Sequence, residues 1–417
     1  MTTLDGFARR LGRLGRGVSV AARTVLPVDT NPVPADWTHV TKVDPEDEKK
    51  LPLLYPLYLR HTDAVSVGGS ADVTARNTEE TFDLLAPASV PAFHEPSGPR
   101  HVTRRTRERA DLLAIPEVLN GDVEALIGEL GAATEYVREE MVPDLLADDY
   151  PWLPDAVADR LASVAASWLL AEAVFEAYVV QNPDSAAARE AGVSETDLLS
   201  PREAKRRAMA AERHLESELV YLEYSGTYGG DEAAETLARM DDALTWSRLW
   251  YGGGLDSRKH AARMLDAGAD AVVVGDAFHR VAAEEAEVCE RAARSLDADP
   301  APSAVSAWVR EQVAVPDSNA AAYLATIPSV ADPERLAERY LVATVRARLG
   351  LRDATGSGRR GDTVSTPALD DFLGSGLAAG LSEADAALVA RCLSSLLADA
   401  AGTPTLPTNH FALSLPD

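Results

Sequence analysis

Between residues 219 and 276 the chain repeats one pattern: an apolar run, a glycine or small polar end, and a helix-like segment. The first run ends in Tyr221, Leu222, Glu223, Tyr224, Ser225 and Gly226, the second in Trp250-Tyr-Gly-Gly-Gly254, the third in Val272-Val-Val-Gly-Asp276. Helical spacing over 231–242 and 257–267 separates them. Strand, helix, strand, helix, strand with glycines at the strand ends predicts parallel β/α units. In an eight-stranded β/α barrel the loops after the last strands often hold a phosphate on backbone N–H groups. Glycine lets the backbone approach such an anion because no Cβ intervenes. Glu223 lies inside the strand leading into this cradle and is a candidate general base.

Eight apolar runs can be counted: 37–44, 63–69, 90–95, 112–119, 177–182, 219–223, 248–252 and 271–275. Continuous apolar runs with polar or glycine ends suit parallel strands covered by helices. The expected fold is therefore α/β, a (β/α)8 TIM-like barrel. The fourth connection, 122–172, is long enough for an inserted helical hairpin. The third, 97–109, is arginine-rich and weakly patterned.

The other strand ends carry polar residues too. Lys42 and Asp44 are two apart and share a strand face. Lys42 suits a phosphate contact and Asp44 a magnesium ligand; alone, the pair more often forms a structural ion pair. Gly68-Gly69-Ser70 ends the second run, Glu95-Pro96-Ser97 the third and Asn182-Pro183 the fifth. All fall on the face where barrel enzymes place their sites.

The chain has 417 residues, a net charge of −26 and a pI near 4.7. One barrel needs roughly 250 residues. The acidity suggests a halophilic habitat, where screening shortens charge repulsion, and argues against nucleic-acid binding, which needs a basic face. Two cysteines, without metal-ligand spacing, argue against a disulfide framework. No apolar stretch is long enough to span a bilayer, so a cytoplasmic protein is expected. Residues 1–30 break the acidic trend: Arg9, Arg10, Arg13, Arg16 and Arg23 alternate with apolar residues. Such a basic amphipathic segment either lies on an anionic membrane surface or is a packing helix or tail.

Thr38-His-Val-Thr-Lys-Val-Asp-Pro45, Asp63-Ala-Val-Ser-Val-Gly-Gly-Ser70, Val118-Leu-Asn120, Glu176-Ala-Tyr-Val-Val-Gln-Asn-Pro183, the 221–226 run, Tyr251-Gly-Gly-Gly254 and Gly275-Asp276 resemble, in order, the geranylgeranylglyceryl phosphate synthase family, which includes the heptaprenylglyceryl phosphate synthases. The resemblance covers about residues 37–279. It implies a prenyltransferase, of archaeal-type lipid biosynthesis, that joins sn-glycerol 1-phosphate to a polyprenyl diphosphate and releases pyrophosphate. By motif position, Lys42 contacts glycerol phosphate, while Asp44 and Ser70 help hold Mg2+. Tyr221, Leu222, Glu223, Tyr224, Ser225, Gly226, Gly254, Gly275 and Asp276 surround the glycerol phosphate. Asp276 departs from the asparagine common in relatives. A carboxylate there is unfavourable if it points at the phosphate.

Three units are expected: the basic segment 1–30, a barrel over 31–297 and a helical extension over 298–417. Helical spacing recurs at 305–313, 321–325, 333–349 and 383–398, with a linker-like composition at 353–363. The extension is expected to pack on the barrel or on a partner subunit, serving homo-oligomer formation or covering a prenyl groove. Two other readings stay open: a non-catalytic paralogue that keeps the phosphate site and acts as a scaffold, and a phosphosugar isomerase-like barrel. The latter leaves the Lys42–Asp44 pair unexplained.

Overall fold

The computed structural model describes residues 29–69, 72–150, 152, 154–297, 300–355, 363 and 381–397. Residues 1–28 of the basic segment, Ser70 and most of the 353–363 linker lie outside them.

Eight parallel strands close into a barrel in sequence order. They are β1 (His39–Val43), β2 (Ala64–Val67), β3 (Ala92–His94), β4 (Leu112–Val118), β5 (Val174–Val180), β6 (Leu219–Glu223), β7 (Arg248–Gly252) and β8 (Ala271–Val274). β1 pairs with β8, His39 opposite Val272 and Thr41 opposite Val274. The first strand's end therefore sits beside the last strand's glycine, not across the barrel from it.

Strand alternation sorts side chains into two layers. Val40, Ala64, Phe93, Tyr178, Tyr221, Trp250 and Val273 belong to an inner core, while Val43, Val65, Val67, Val179, Leu222 and Tyr251 belong to the outer core under the helices. Trp37, Phe93 and Trp250 fill the interior below the site, their ring centroids 5.8–6.2 Å apart. Polar inward positions thus have only the C-terminal end of the barrel left to them.

The helices between strands are α1 (Tyr55–Leu59), α2 (Ala75–Leu85), α3 (Arg104–Arg109), α4 (Glu129–Tyr136), α5 (Val142–Asp149), α6 (Asp155–Glu172), α7 (Ala186–Glu190), α8 (Pro201–Ala210), α9 (Gly230–Asp241) and α10 (Arg258–Asp266). α4, α5 and α6, joined through π-helical turns at Glu124–Gly128 and Val137–Met141, form the helical insertion expected between β4 and β5. The arginine-rich third connection folds as a short 3-10 turn followed by α3. Thr103 starts α3 by accepting from the Thr106 N–H in a reciprocal capping box.

After β8 come α11 (Asp276–Ser295), α12 (Pro302–Gln312), α13 (Asn319–Thr326), α14 (Pro333–Thr355) and α15 (Glu383–Leu397). α13 packs against α10 and α11 and closes the outer face of β1. Tyr323 OH lies 2.7 Å from Thr41 Oγ1, and Thr326 Oγ1 3.0 Å from His39 Nε2. Burial holds His39 well below the usual histidine range, at about 3, so the ring is neutral. α14 is tied in by Glu285 of α11, which accepts from Leu53 N (2.8 Å), Tyr58 OH (2.9 Å) and Thr344 Oγ1 (3.1 Å). The described part of the extension is thus part of the barrel's outer wall. None of it lines the cavity described next, so it does not cover a groove there.

Candidate active site

A cavity of about 490 Å3 opens at the C-terminal end of the barrel. Its floor is made of inward-facing polar side chains from neighbouring strands. Lys42 Nζ of β1 lies 2.6 Å from Glu95 Oε1, just past β3. Glu95 also accepts from Tyr178 OH of β5 at 2.6 Å and from Ser66 Oγ of β2 at 2.8 Å. Burial alone would raise the Glu95 pKa. The Lys42 charge and the bonds from Lys42, Tyr178 and Ser66 prevail and hold it below the usual range. Lys42 is the mirror case: burial works to neutralise it, but Glu95, and then Asp44 and Glu223, keep it charged.

Two further acids face the same interior. Glu176 of β5 is pushed well above the carboxylate range, first by burial, then by the Glu95 charge. Glu223 is also raised, first by burial, against hydrogen bonding from Ser225 and the Lys42 charge. Glu176 Oε2 and Glu223 Oε2 are buried with no hydrogen-bond partner among the described residues. Only Glu223 of the two lines the cavity, and a buried acceptor left open there is costly unless a ligand completes it. Lys42 pairs with Glu95, so Glu223 is not spent as its counter-ion and has an oxygen available to take a proton.

The loops above this floor present backbone. Gly254 has φ +52, and a Cβ there would come 2.5 Å from Tyr228 N. Gly252 gives way to a side chain instead: a Cβ on it would fall 1.8 Å from Tyr221 OH, so glycine at the end of β7 is what lets the Tyr221 ring lie in the barrel mouth. Gly275 caps α11: its carbonyl accepts from Phe278 N and His279 N, and no side chain caps the helix, so the positive end of its dipole faces the cavity through Asp276 and Ala277. Asp276, the first residue of α11, is exposed. Its carboxylate is therefore not forced into the anion position.

Asp44 follows β1 at the cavity edge. Its Oδ2 is 3.6 Å from His279 Nδ1, and a Cβ on Gly69 would meet its Oδ1 at 3.0 Å. Burial lowers the His279 pKa against the pull of Asp44. No cluster of three or more His, Cys, Asp or Glu able to hold a metal occurs among the described residues. A single edge carboxylate still fits magnesium, which keeps several waters and is commonly held by one or two carboxylates together with substrate phosphates.

The structure brings Lys42, Asp44, Tyr221, Glu223, Ser225, Gly226, Gly254, Gly275 and Asp276 to one cavity. The side chains of Leu222 and Tyr224 belong to the outer core under the helices, and neither residue lines the cavity, as strand alternation requires. Ser70 lies outside the described residues. The sequence reading placed Glu95 on the site face without a role, and missed Glu176, Tyr178, Ser66 and His279. The shared inward parity of Lys42, Ser66, Glu176, Tyr178 and Glu223 is the signal that would have found most of them.

From this polar end the cavity continues between β4 and the insertion, past Val102, Leu113, Ile115, Val118, Val137 and Leu170. The half-exposed pattern of β4 reflects this apolar arm. Fold and site together define a barrel enzyme with a polar, glycine-lined mouth joined to an apolar channel. The chain belongs to the PcrB family, whose model matches residues 34–292. It is 32% identical over 245 residues to the geranylgeranylglyceryl phosphate synthase of Methanocella arvoryzae, covering 58% of this chain and 91% of that one. It is 35% identical over 249 residues to the synthase of the same name from Halobacterium salinarum, covering 59% and 89%. Among solved structures it is similar to (S)-3-O-geranylgeranylglyceryl phosphate synthase from Thermoplasma acidophilum in complex with sn-glycerol-1-phosphate, with 21% identity, a TM-score of 0.42, and coverage of 58% and 87%.

Proposed function

We propose that this protein is a prenyltransferase that joins sn-glycerol 1-phosphate to geranylgeranyl or another polyprenyl diphosphate. The single observation that carries this reading is the form of the cavity. A lysine, buried acids and backbone loops sit at one end, and an apolar arm leads away from the other. One substrate is a phosphate on a short polyol; the other is a diphosphate on a long hydrocarbon. The family and the names of its relatives agree with this division.

The glycerol phosphate is assigned to the glycine loops of β6, β7 and β8 and to Lys42. Charge on Lys42 is maintained by Glu95, so the site meets a phosphate with a fixed cation and backbone donors. The C3 hydroxyl then faces the prenyl C1 carbon. The new bond is C3–O to C1; the bond that breaks is C1–O to the diphosphate, which leaves with the electron pair. Glu223 takes the hydroxyl proton. Its raised pKa suits a base that must hold the proton until it leaves the site. Asp44 would hold a magnesium ion, with Ser70 assigned to it by motif position alone, and the ion would supply charge neutralisation for the leaving pyrophosphate. The prenyl chain lies along Leu113, Ile115, Val118 and Leu170. The basic segment 1–30 is proposed as a separate, electrostatic contact with anionic membrane surfaces.

Incubation with sn-glycerol 1-phosphate, geranylgeranyl diphosphate and magnesium, followed by mass analysis, tests the reading. The expected product carries one ether-linked prenyl chain. Pyrophosphate release without that product, or no turnover with any prenyl diphosphate, sinks it. The non-catalytic scaffold alternative has no observation in its favour.

A further inference from the structure

α6 is built inside out. Its fully buried residues are small, Ala162 and Ala166, and half-buried Leu170 continues that face to the cavity. Four of its large apolar residues point the other way: Val157, Leu161, Val164 and Trp168 are 43%, 43%, 65% and 58% exposed. Spacings of four, three and four residues put all of them on one narrow stripe. An ordinary surface helix has the opposite arrangement. Just before α6, Trp152 is 74% and Tyr150 51% exposed, with ring centroids 6.4 Å apart. Nothing among the described residues covers this surface.

Two observations say what does. The first is position. The insertion carrying this stripe also lines the apolar arm of the cavity, through Ala125, Ala133, Val137 and Leu170. The outward apolar stripe and the channel for the hydrocarbon substrate thus belong to one structural unit. The second is charge. Glu124, Glu135, Glu139, Asp144, Asp159 and Glu172 are exposed in the same insertion against Arg138 and Arg160, while Glu140 pairs with Arg100, so the insertion's surface is net acidic. Two copies meeting there would bring like charges together in a chain already at −26. A neutral lipid surface imposes no such cost. Exposed tryptophan and tyrosine are also the residues that sit at the headgroup level of a bilayer.

We propose that the outward face of α6 docks in the plane of a lipid surface, so that the apolar arm exchanges its long-chain substrate and product with the membrane. This rests on the functional reading above. No described helix is long and apolar enough to cross a membrane; α6 lies on it, held by apolar contact. Because the surrounding charge is acidic, salt should not weaken the contact, and anionic lipid should not be required.

The test is flotation of the full chain with zwitterionic phosphatidylcholine vesicles, in low and in molar salt. The comparison is a triple variant, Leu161→Gln, Val164→Gln and Trp168→Gln. All three positions are exposed, and none lines the cavity. The wild type is expected to float in both salts, and the variant to lose roughly tenfold or more of its partitioning. Turnover of a short, water-soluble prenyl diphosphate should be unchanged in the variant. Equal flotation of the two proteins overturns the inference. So does wild-type binding that needs anionic lipid and vanishes in high salt, which would assign the contact to the basic N-terminal segment. A dimer seen by light scattering, broken by the variant and accompanied by no vesicle binding, would make the stripe a subunit interface and overturn it too. Flotation without any prenyl transfer would leave the docking surface standing and remove the functional reading instead.

Discussion

Lys42 of β1 and Glu95 at the end of β3 meet in the barrel interior at 2.6 Å, although β2 separates their strands. Both are largely buried, and each keeps the other charged. Removing one partner leaves an uncompensated charge, which costs about 3–5 kcal/mol in buried pairs. Lys42→Met is therefore expected to lower stability by about that amount and to raise the KM for glycerol phosphate. Adding Glu95→Gln should restore much of the stability but not the substrate affinity. Denaturant midpoints with steady-state kinetics read both, and a double variant with normal KM would show that the pair is only structural.

Glu223→Gln should lower turnover by roughly 10²- to 10⁴-fold, the usual range for losing a general base, with glycerol phosphate binding nearly intact by calorimetry. In the wild type the base must be ionised in the free enzyme. Because burial raises its pKa, the acid limb of kcat/KM should fall at higher pH than an ordinary carboxylate would give. Near-normal turnover in the variant would remove Glu223 from the mechanism.

For Asp44→Asn, the magnesium concentration giving half-maximal rate should rise by at least about tenfold. Glycerol phosphate binding should change little, because the glycine loops do not depend on Asp44. An unchanged magnesium titration would assign Asp44 to its contact with His279 alone.

Glu285 gives stability a pH dependence of defined sign. Burial raises its carboxyl to about 7 in the folded chain, from an ordinary value of 4.5. The folded state therefore holds the proton more tightly. Its contribution is fully present below about pH 4.5 and is lost as pH rises through about 7, on the order of 3 kcal/mol in all. The stability difference between the wild type and Glu285→Gln should shrink by that order across this window. A difference that stays constant with pH would show that Glu285 does not titrate there.

β6 and β7 are legible to the residue because their apolar runs stop at Glu223 and Gly252. β5 is not: the pattern predicts 177–182, whereas the strand runs Val174–Val180. Glu176 interrupts the run, and an inward acid is indistinguishable from a strand end until the register is known. The same ignorance of register hides Ser66 and the pairing of Glu95 with Lys42. The stripe on α6 fails for another reason. Apolar residues on one helical face ordinarily mean core, and only the position of Ala162 and Ala166 reveals which side is inside.

The bonds from β1 to α13 span 282 residues between Thr41 and Tyr323 and 287 between His39 and Thr326. During synthesis the first barrel strand is made early, yet its outer wall arrives only when residues 319–326 have left the ribosome. Closing the β1–β8 seam alone does not finish the fold. A chain stopped near residue 297 would lack the partners that α13 gives Thr41 Oγ1 and His39 Nε2, leaving the His39 ring only the bond of Nδ1 to Thr62. The first strand is thus completed last, by a helix that follows every strand of the catalytic mouth.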